Sequence, residues 1–405
     1  MTTTGMATIF LWAGLEQGLG RLVDLGLNQL PPAWRSWALV VVLASAMLGV
    51  FASLFALSTL LERKGLGRIQ NRLGPNRVGP YGLFQPVADG IKMLTKEDIV
   101  PRGADGVVHF LAPIVLFAPL TMAFAVLPYG RHWVPLNLDA GLLFFFAAGS
   151  ASELAAFMAG WSSRNKYSLL GGMRAIAQMI SFEMPLVVAS LSVVMISGTI
   201  SLAAIVERQE AWLWVFPKWN VFTPWGLAGF ALFIVAAMAE TNRSPFDLPE
   251  GESEIIGGFM TEYSGFKYAV FFMGEYFGMF AVSGLAVTLF LGGWNAPLSF
   301  LPASFLWFFA KLMTLVLVFI WVRGTLPRVR ADQLMNLAWK YLFPMSLLNL
   351  FNAGLWHYTA AWQMPGGLAV RWIVCFAVIA VPCMVLARTM MSRHQWAPRV
   401  YQYGN

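Results

Sequence analysis

Long apolar runs alternate with short polar segments along most of the chain. Nine of these runs predict membrane-spanning helices, at residues 36–61, 107–128, 138–160, 170–198, 224–240, 266–291, 303–323, 340–358 and 367–390. Each run is long enough to cross a hydrocarbon layer of about 30 Å. Because that layer holds no water to satisfy the backbone, the runs must be helices, whose backbone groups bond internally. The pattern therefore predicts an all-α polytopic transmembrane protein with about nine spans.

Two further segments have apolar residues at helical spacing but carry too many charges to cross a membrane. In residues 83–98 the apolar side chains form a single stripe, made by Phe84, Val87, Ala88, Ile91 and Leu94. Such a stripe predicts a short amphipathic helix on the cytoplasmic membrane surface, either as a plain anchor or as a wall over a lipid-soluble ligand. Residues 1–35 form an N-terminal extension that also favours a surface helix, with leucines at Leu11, Leu15, Leu19 and Leu22.

Lysine and arginine residues are unevenly distributed among the segments that connect the predicted spans. They are frequent in residues 62–106, 161–174 and 323–340. They are scarce in the intervening connections, at residues 129–137, 199–223, 292–302 and 359–366. Because connections rich in basic residues stay in the cytoplasm, the N-terminus is predicted to lie outside and the C-terminus in the cytoplasm.

The composition agrees with a membrane protein and excludes a soluble one. Of 405 residues, 58% are hydrophobic and only 12% are charged, whereas a soluble domain has about 25% charged residues. The two cysteines, Cys375 and Cys383, lie in one apolar run, and the four histidines are scattered. A metal site needs several such ligands at close spacing, so we predict none. The sequence has no phosphate-binding or dinucleotide-binding motif, and we expect it to bind neither a resident cofactor nor nucleic acid.

One loop differs in charge from the rest of this basic chain, whose formal net charge is +7. The stretch ETNRSPFDLPEGESEIIGGFMTE, residues 240–262, contains six of the 20 carboxylates: Glu240, Asp247, Glu250, Glu252, Glu254 and Glu262. A solvated loop or a docking face for a basic partner would explain the charge. However, apolar residues such as Phe246 are interleaved with the acids, which a freely exposed loop would not need. Closely spaced carboxylates titrate as a coupled set, so this loop would respond strongly to a nearby charge.

Four glutamates lie within or at the ends of predicted spans: Glu153, Glu183, Glu240 and Glu275. An ionised carboxylate near the middle of a membrane costs about 2.5–3.5 kcal/mol on insertion scales. The spans offer few basic partners, so these acids are neutral for part of the time or face water. Pro185 removes a backbone donor close to Glu183 and leaves polar groups where water could enter. A polar patch that joins helices is one explanation, but the similar depth of the four acids favours a proton relay.

Four long stretches carry a family resemblance, in the same order along the chain. They are ERKGLGRIQNRLGPNRVGPYGLFQPVADGIKMLTKE (62–97), NKYSLLGGMRAIAQMISFE (165–183), AETNRSPFDLPEGESE (239–254) and RGTLPRVRADQLMNLAWK (323–340). Through them the chain resembles the quinone-site membrane subunit of respiratory complex I, the proton-translocating NADH:quinone oxidoreductase. The resemblance implies that residues 36–358 are a core of eight spans. Residues 1–35 and 359–405, which include the ninth span, are then additions to that core.

The resemblance also implies roles for individual residues. Five would border a quinone chamber: Glu62, Arg63, Arg68, Arg243 and Phe246. The acids would form a proton relay and coupling loop: Glu153, Glu183, Glu240, Glu275, Asp247, Glu250, Glu252 and Glu254. The implied substrate is ubiquinone or menaquinone, and the implied location is a bacterial inner membrane. The implied partners are other complex I subunits, namely the peripheral-arm quinone-site and iron–sulfur subunits and neighbouring small membrane subunits.

Two other functions are compatible with parts of this pattern. The related membrane subunit of a hydrogenase or formate-oxidising complex is the main alternative, but the full stretches GPYGLFQPVADGIK and AETNRSPFDLPEGESE favour the quinone enzyme. An independent secondary transporter is disfavoured, because the sequence has neither an internal repeat nor paired broken helices.

Overall fold

The structure, a computed structural model, describes residues 31–131, 133–213, 216–249, 257–359 and 367–392. Its α-helices are α1 (Pro32–Ile69), α2 (Gln85–Thr95), α3 (Gly106–Ala125), α4 (Gly141–Ser162), α5 (Lys166–Ser197), α6 (Leu202–Arg208), α7 (Pro224–Glu240), α8 (Gly265–Phe290), α9 (Phe305–Thr325), α10 (Ala331–Leu337), α11 (Phe343–Tyr358) and α12 (Gly367–Ser392). Single 3-10 turns lie at Pro80–Gly82, Asn220–Phe222 and Gly258–Met260, and a π-helical turn at Ala338–Leu342 joins α10 to α11. Two very short strands, β1 (Trp212–Leu213) and β2 (Phe216–Pro217), pair antiparallel.

Each of the nine predicted spans coincides with a helix. Seven helices are long and apolar enough to cross a membrane, namely α1, α3, α4, α5, α8, α9 and α12. The other two, α7 and α11, have 17 and 16 residues. At about 1.5 Å per residue, α7 covers about 26 Å, close to the thickness of the hydrocarbon layer, while the π-helical turn lengthens α11. The prediction of an all-α polytopic membrane protein is confirmed.

Two helices extend beyond the apolar runs into segments predicted as loops. α1 continues to Ile69 and therefore includes Glu62 and Arg63, since long charged side chains are good helix formers. It ends just before Asn71, whose φ of 55° is left-handed. α5 begins at Lys166, where the side chain of Asn165 accepts a hydrogen bond from the backbone of Tyr167 at 3.0 Å. The apolar pattern thus marks only the part of each helix that lipid surrounds.

α8 is the most enclosed helix and forms the centre of the bundle. It contacts α3, α7 and α9. In its most apolar stretch of 18 residues 72% of the positions are buried, compared with 6% in that of α12. Its aromatic side chains Phe271, Phe277 and Phe280 are fully buried. Because α8 carries Glu275 at the level of these aromatic rings, the core brings a titratable group into an otherwise apolar interior.

The predicted amphipathic helix is present as α2, shorter at both ends than residues 83–98. It has no buried residue, so its apolar stripe faces away from the bundle. Its polar face is fixed to α1 by the ion pair of Arg63 with Asp89 at 2.5 Å, and within α2 Gln85 also donates to Asp89 at 3.1 Å. This placement leaves the stripe available to lipid or to a lipid-soluble ligand, the two roles considered above.

α12 packs on the outside of the bundle, against α11, α7 and the π-helical turn. Arg371 donates to the Trp356 carbonyl, and its guanidinium lies 3.7 Å from the centre of a Trp356 ring. The Tyr341 hydroxyl lies 2.9 Å from Cys383 Sγ. These contacts attach α12 to the rest of the bundle. Of the predicted N-terminal extension, residues 1–30 lie outside the described residues.

Candidate functional site

A cluster of charges surrounds Glu62, near the cytoplasmic end that the charge pattern predicts for α1. The Glu62 carboxylate accepts hydrogen bonds from Arg243 Nη1 at 2.8 Å and from the Tyr276 hydroxyl at 2.7 Å, and it also pairs with Arg323. Glu62, Arg243 and Tyr276 are buried, whereas 35% of the Arg323 side chain is exposed. Since two arginines face one carboxylate, this Glu62 cluster has an excess of positive charge.

Arg243 is held in this cluster from two sides. Its guanidinium lies 3.9 Å from the centre of the Tyr276 ring, a favourable position for a cation–π interaction. Burial alone would lower the pKa of Arg243, but Glu62, Tyr276 and Glu275 together outweigh that effect and raise the pKa above its ordinary value. Glu275 adds to the same upward shift of the Arg243 pKa, which shows that Glu275 lies within electrostatic range of the cluster.

Residues 241–249, the described part of the acidic loop, are packed rather than solvated. Asp247 is buried and accepts a hydrogen bond from Arg328 Nη2 at 2.6 Å. Phe246 is also buried, with its ring centre 6.1 Å from that of Phe182 on α5. The amide of Gln178, likewise on α5, donates to backbone carbonyls at both ends of the turn. The interleaving of acidic and apolar residues therefore reflects a loop that docks on a helix.

A second group of acids lies deeper in the bundle and is made by Glu153 of α4, Glu183 of α5 and Glu240 at the end of α7. Glu153 lies within electrostatic range of Glu183. Ser150 also donates to Glu183, and Glu240 lies within electrostatic range of both other acids. We call these three residues the carboxyl triad.

A cavity of about 70 Å³ lies beside the carboxyl triad. Glu240 of the triad and Glu275, which is within range of Arg243, both line it together with Ser152 and Asn242. One water needs about 10–15 Å³ on this measure, so the cavity has room for several. Glu240 Oε2 is buried without a hydrogen-bond partner among the described residues, and a water in this cavity would supply one.

The structure thus brings together most of the predicted site residues but not all of them. Glu62 and Arg243 are in direct contact, and the four intramembrane glutamates lie along one path. Arg63 and Arg68 are exposed on α1, and Arg63 binds Asp89 of α2 instead of the Glu62 cluster. Three acids of the loop lie outside the described residues: Glu250, Glu252 and Glu254.

Sequence reasoning missed four residues that build this site: Tyr276, Arg323, Arg328 and Gln178. Arg323 and Arg328 count in the sequence only as basic residues of a connecting segment, although they lie in one of the four family stretches. Tyr276 has no local signal, because its partner Glu62 is 214 residues away. A buried polar side chain can be recognised only when its distant partner is known.

The arrangement can bind, donate and accept protons along a path of carboxyl groups. Within the described ranges, no group of three or more His, Cys, Asp or Glu side chains is suited to hold a metal ion.

The fold and the site define a polytopic α-helical membrane protein with buried and half-buried carboxyl groups among its helices. Residues 42–354 match the family described as NADH dehydrogenase, and the chain belongs to that family.

The relatives that resemble the chain over most of its length bear one name, that of the subunit of NADH-quinone oxidoreductase designated by the letter H. The chain is 51% identical over 290 residues to this subunit of Dehalococcoides mccartyi (strain CBDB1), covering 72% of this chain and 79% of that protein. It is 45% identical over 333 residues to the form numbered 2 in Syntrophobacter fumaroxidans, covering 80% of this chain and 97% of that protein. The corresponding protein of Geobacillus kaustophilus is 45% identical over 322 residues, covering 79% of this chain and 94% of that protein.

Proposed function

We propose that this chain is the quinone-site membrane subunit of a proton-translocating NADH:quinone oxidoreductase. The observation that carries the proposal is the buried pair of Glu62 and Arg243, together with the half-buried acids Glu275, Glu240 and Glu183 deeper in the bundle. The relatives, which are named as a subunit of NADH-quinone oxidoreductase, support the same assignment. The substrate is a membrane quinone, either ubiquinone or menaquinone, and the chain acts as part of a larger enzyme.

The Glu62 cluster supports a quinone chamber at the membrane surface. Two-electron reduction of a quinone places negative charge on its two oxygens until protons arrive. Fixed donors and cations that are already in place stabilise such developing charge without reorganisation. Arg243 and Arg323 would supply the positive charge, and the exposed apolar stripe of α2 would form a lipid-side wall of the chamber.

The carboxyl triad and the cavity support a relay that carries the effect of reduction inward. A charge that appears near Arg243 changes the electrostatic balance at Glu62 and Glu275. Each pKa unit of such a change corresponds to about 1.36 kcal/mol, so a few coupled shifts bias where protons reside. On this proposal, a proton that enters at Glu240 is passed on towards Glu183 and Glu153, which lie within electrostatic range of it.

The redox centres and the nicotinamide site would belong to partner subunits. On this proposal, electrons reach the quinone from an iron–sulfur subunit of the peripheral arm, which docks over α2 and the acidic loop. Neighbouring small membrane subunits would receive protons from the triad. This chain supplies the binding surfaces and the carboxyl groups.

We further propose that residues 36–358 are the functional core and that residues 1–35 and 359–405 are additions to it. The family match ends at residue 354, before α12 begins. With nine spans and the basic connections inside, the N-terminus lies outside and the C-terminus in the cytoplasm of a bacterial inner membrane.

Purification from native membranes in mild detergent tests the assignment. The chain should co-purify with flavin and iron–sulfur subunits, and the complex reconstituted in vesicles should oxidise NADH with quinone and acidify one compartment. A stable monomer without these partners would contradict the proposal. A complex that oxidises hydrogen or formate, but not NADH, would favour the alternative enzymes.

A further inference from the structure

Gln178 is fully buried in α5 and uses its amide group to hold the loop that follows α7. Nε2 donates to the Ala239 carbonyl and to the Phe246 carbonyl, each at 2.6 Å. These two acceptors determine the orientation of the amide, because its oxygen in the same place would face two other oxygens. Each of the two amide hydrogens therefore has one backbone partner.

We propose that Gln178 is a positioning residue that keeps the Glu62 cluster and the carboxyl triad aligned with each other. This inference rests on the proposed function, since it concerns how quinone chemistry is coupled to the relay. Gln178 itself touches neither group of charges. It acts through the backbone of residues 239–246, which connects them.

The two carbonyls that Gln178 binds belong to residues that directly precede an acid of the proposed site. Ala239 precedes Glu240 of the triad, at the end of α7, where carbonyl groups lack the usual helical partners. Phe246 precedes Asp247, and Arg243 lies between the two anchor points. A single amide thus determines how Glu240 and Arg243 are placed relative to α5.

α5 presents one continuous face to the acidic loop. Gly171, Gln178 and Phe182 follow each other at intervals of seven and four residues, which place them on the same side of a helix. Phe182 packs against Phe246, and a Cβ on Gly171 would lie only 2.7 Å from the backbone of Gly258. Glu183 directly follows Phe182. Any slip of the loop along this face therefore changes the spacing between Glu183 and Glu240.

The position requires an uncharged side chain with two donor hydrogens. Glutamate has the same shape but would direct acceptor oxygens at two carbonyls and would add a charge beside the triad. Methionine has a similar length but would remove the Gln178 donor from both carbonyls, leaving that of Ala239 with the backbone N–H of Asn242 at 3.2 Å. Asparagine is one methylene shorter and cannot reach both carbonyls from the same helix position.

Gln209 offers a matched control within the same chain. It is also buried, and its Nε2 also donates to two backbone carbonyls, those of Ile205 at 3.3 Å and Thr288 at 3.0 Å. It lies just after α6 and contacts no residue of the Glu62 cluster or the triad. Loss of its hydrogen bonds should therefore affect folding alone.

The test compares Gln178→Met and Gln209→Met in the complete complex, reconstituted in sealed vesicles. The measurements are the rate of NADH oxidation by quinone, the number of protons moved per electron, and NADH oxidation by a water-soluble acceptor, which reports the amount of assembled enzyme. We expect Gln178→Met to lower the quinone rate by about tenfold to 100-fold, the effect of a displacement of about 1 Å near a reacting site. We also expect fewer protons per electron in this variant. Gln209→Met should retain the wild-type proton ratio.

The proton ratio separates positioning from plain stability, because a loss of folded complex lowers rate and transport together and leaves their ratio unchanged. An unchanged ratio in Gln178→Met overturns the proposal. If Gln178→Met does not assemble, the same measurement is made on Gln178→Asn. A reduced number of protons per electron in that variant supports the positioning role of Gln178, and a wild-type number overturns it. A wild-type complex that moves no protons during quinone reduction contradicts the proposed function. A wild-type complex that does move protons, together with an unchanged number of protons per electron in the Gln178 variants, rejects only the role of Gln178.

Discussion

Arg243 Nη1 lies 2.8 Å from Glu62 Oε2, with only 7% of the arginine and 4% of the glutamate side chain exposed. Removing two charges from water costs several kcal/mol per ion, which their attraction offsets only with good geometry and further hydrogen bonds. Tyr276 and Arg323 provide those further contacts to Glu62. A buried pair of this kind is weak evidence for a stabilising role, and its position beside Glu275 favours a functional one.

Replacing Glu62 with glutamine should destabilise the protein strongly. Removal of one partner of a buried pair costs about 3–5 kcal/mol, and here both Arg243 and Arg323 lose the carboxylate that they face. The measurement is the fraction of assembled complex and its thermal unfolding midpoint in detergent.

The exposed pair between Arg131 and Glu210, at 3.4 Å, is the control for this variant. Arg131→Ala should change stability by about 0–1 kcal/mol, as for surface ion pairs in general. Equal losses in Glu62→Gln and Arg131→Ala would contradict a special role for burial.

Tyr276 makes two separable contributions, one through its hydroxyl and one through its ring. Tyr276→Phe removes the hydrogen bond to Glu62 but keeps the ring under Arg243, and a hydrogen bond to a charged group contributes about 1.5–3 kcal/mol. Tyr276→Leu also removes the cation–π contact, which adds about 0.5–2 kcal/mol. Unfolding free energies should therefore fall in the order wild type, Phe, Leu. Equal unfolding free energies of the Phe and Leu variants would show that the ring contact is without effect.

Glu183→Gln should block the relay while leaving the shape of the triad nearly unchanged. The amide cannot exchange protons, and loss of a group that transfers protons lowers a rate by about 100-fold or more. The measurement is proton transport coupled to quinone reduction in vesicles. Glu207→Gln, at an exposed position of α6, serves as the control and should behave as wild type. Undiminished transport in Glu183→Gln would remove Glu183 from the relay.

Lys311 should matter for folding but not for quinone binding. Its ammonium donates to the carbonyls of Leu291, Gly293 and Asn295 at 2.6–2.9 Å and lies 3.9 Å from the centre of a Trp219 ring. On α9 it is separated from Arg323 by about 18 Å of helix.

Lys311→Met leaves three carbonyls without a donor, and each unsatisfied buried group costs about 1–3 kcal/mol. We expect a large drop in thermal stability together with an unchanged KM for quinone in the complex that does assemble. Lys218→Met, at an exposed position, should alter neither quantity. A raised KM for quinone in Lys311→Met would mean that the loop of Leu291, Gly293 and Asn295, which Lys311 binds, reaches the quinone site.

The sequence predicts the helices well because lipid imposes a simple requirement. A run such as 266–291 must be apolar along its whole length, and it must be helical to satisfy its backbone. The two boundaries that differ most, at the end of α1 and the start of α5, lie outside the apolar layer, where that requirement no longer applies. The same pattern shows which acids are costly, since Glu153, Glu183 and Glu275 interrupt it.

The sequence by itself determined the class of protein, the number of spans and the presence of acids that an apolar bundle would not otherwise tolerate. Only the tertiary structure decided which of these groups meet. Glu62 joins Arg243 and Tyr276 across 181 and 214 residues, and Gln178 selects two carbonyls that no local pattern marks. The physical reason is that hydropathy is a property of each segment alone, whereas a hydrogen bond depends on distances of 2.6–2.8 Å between segments that only packing brings together.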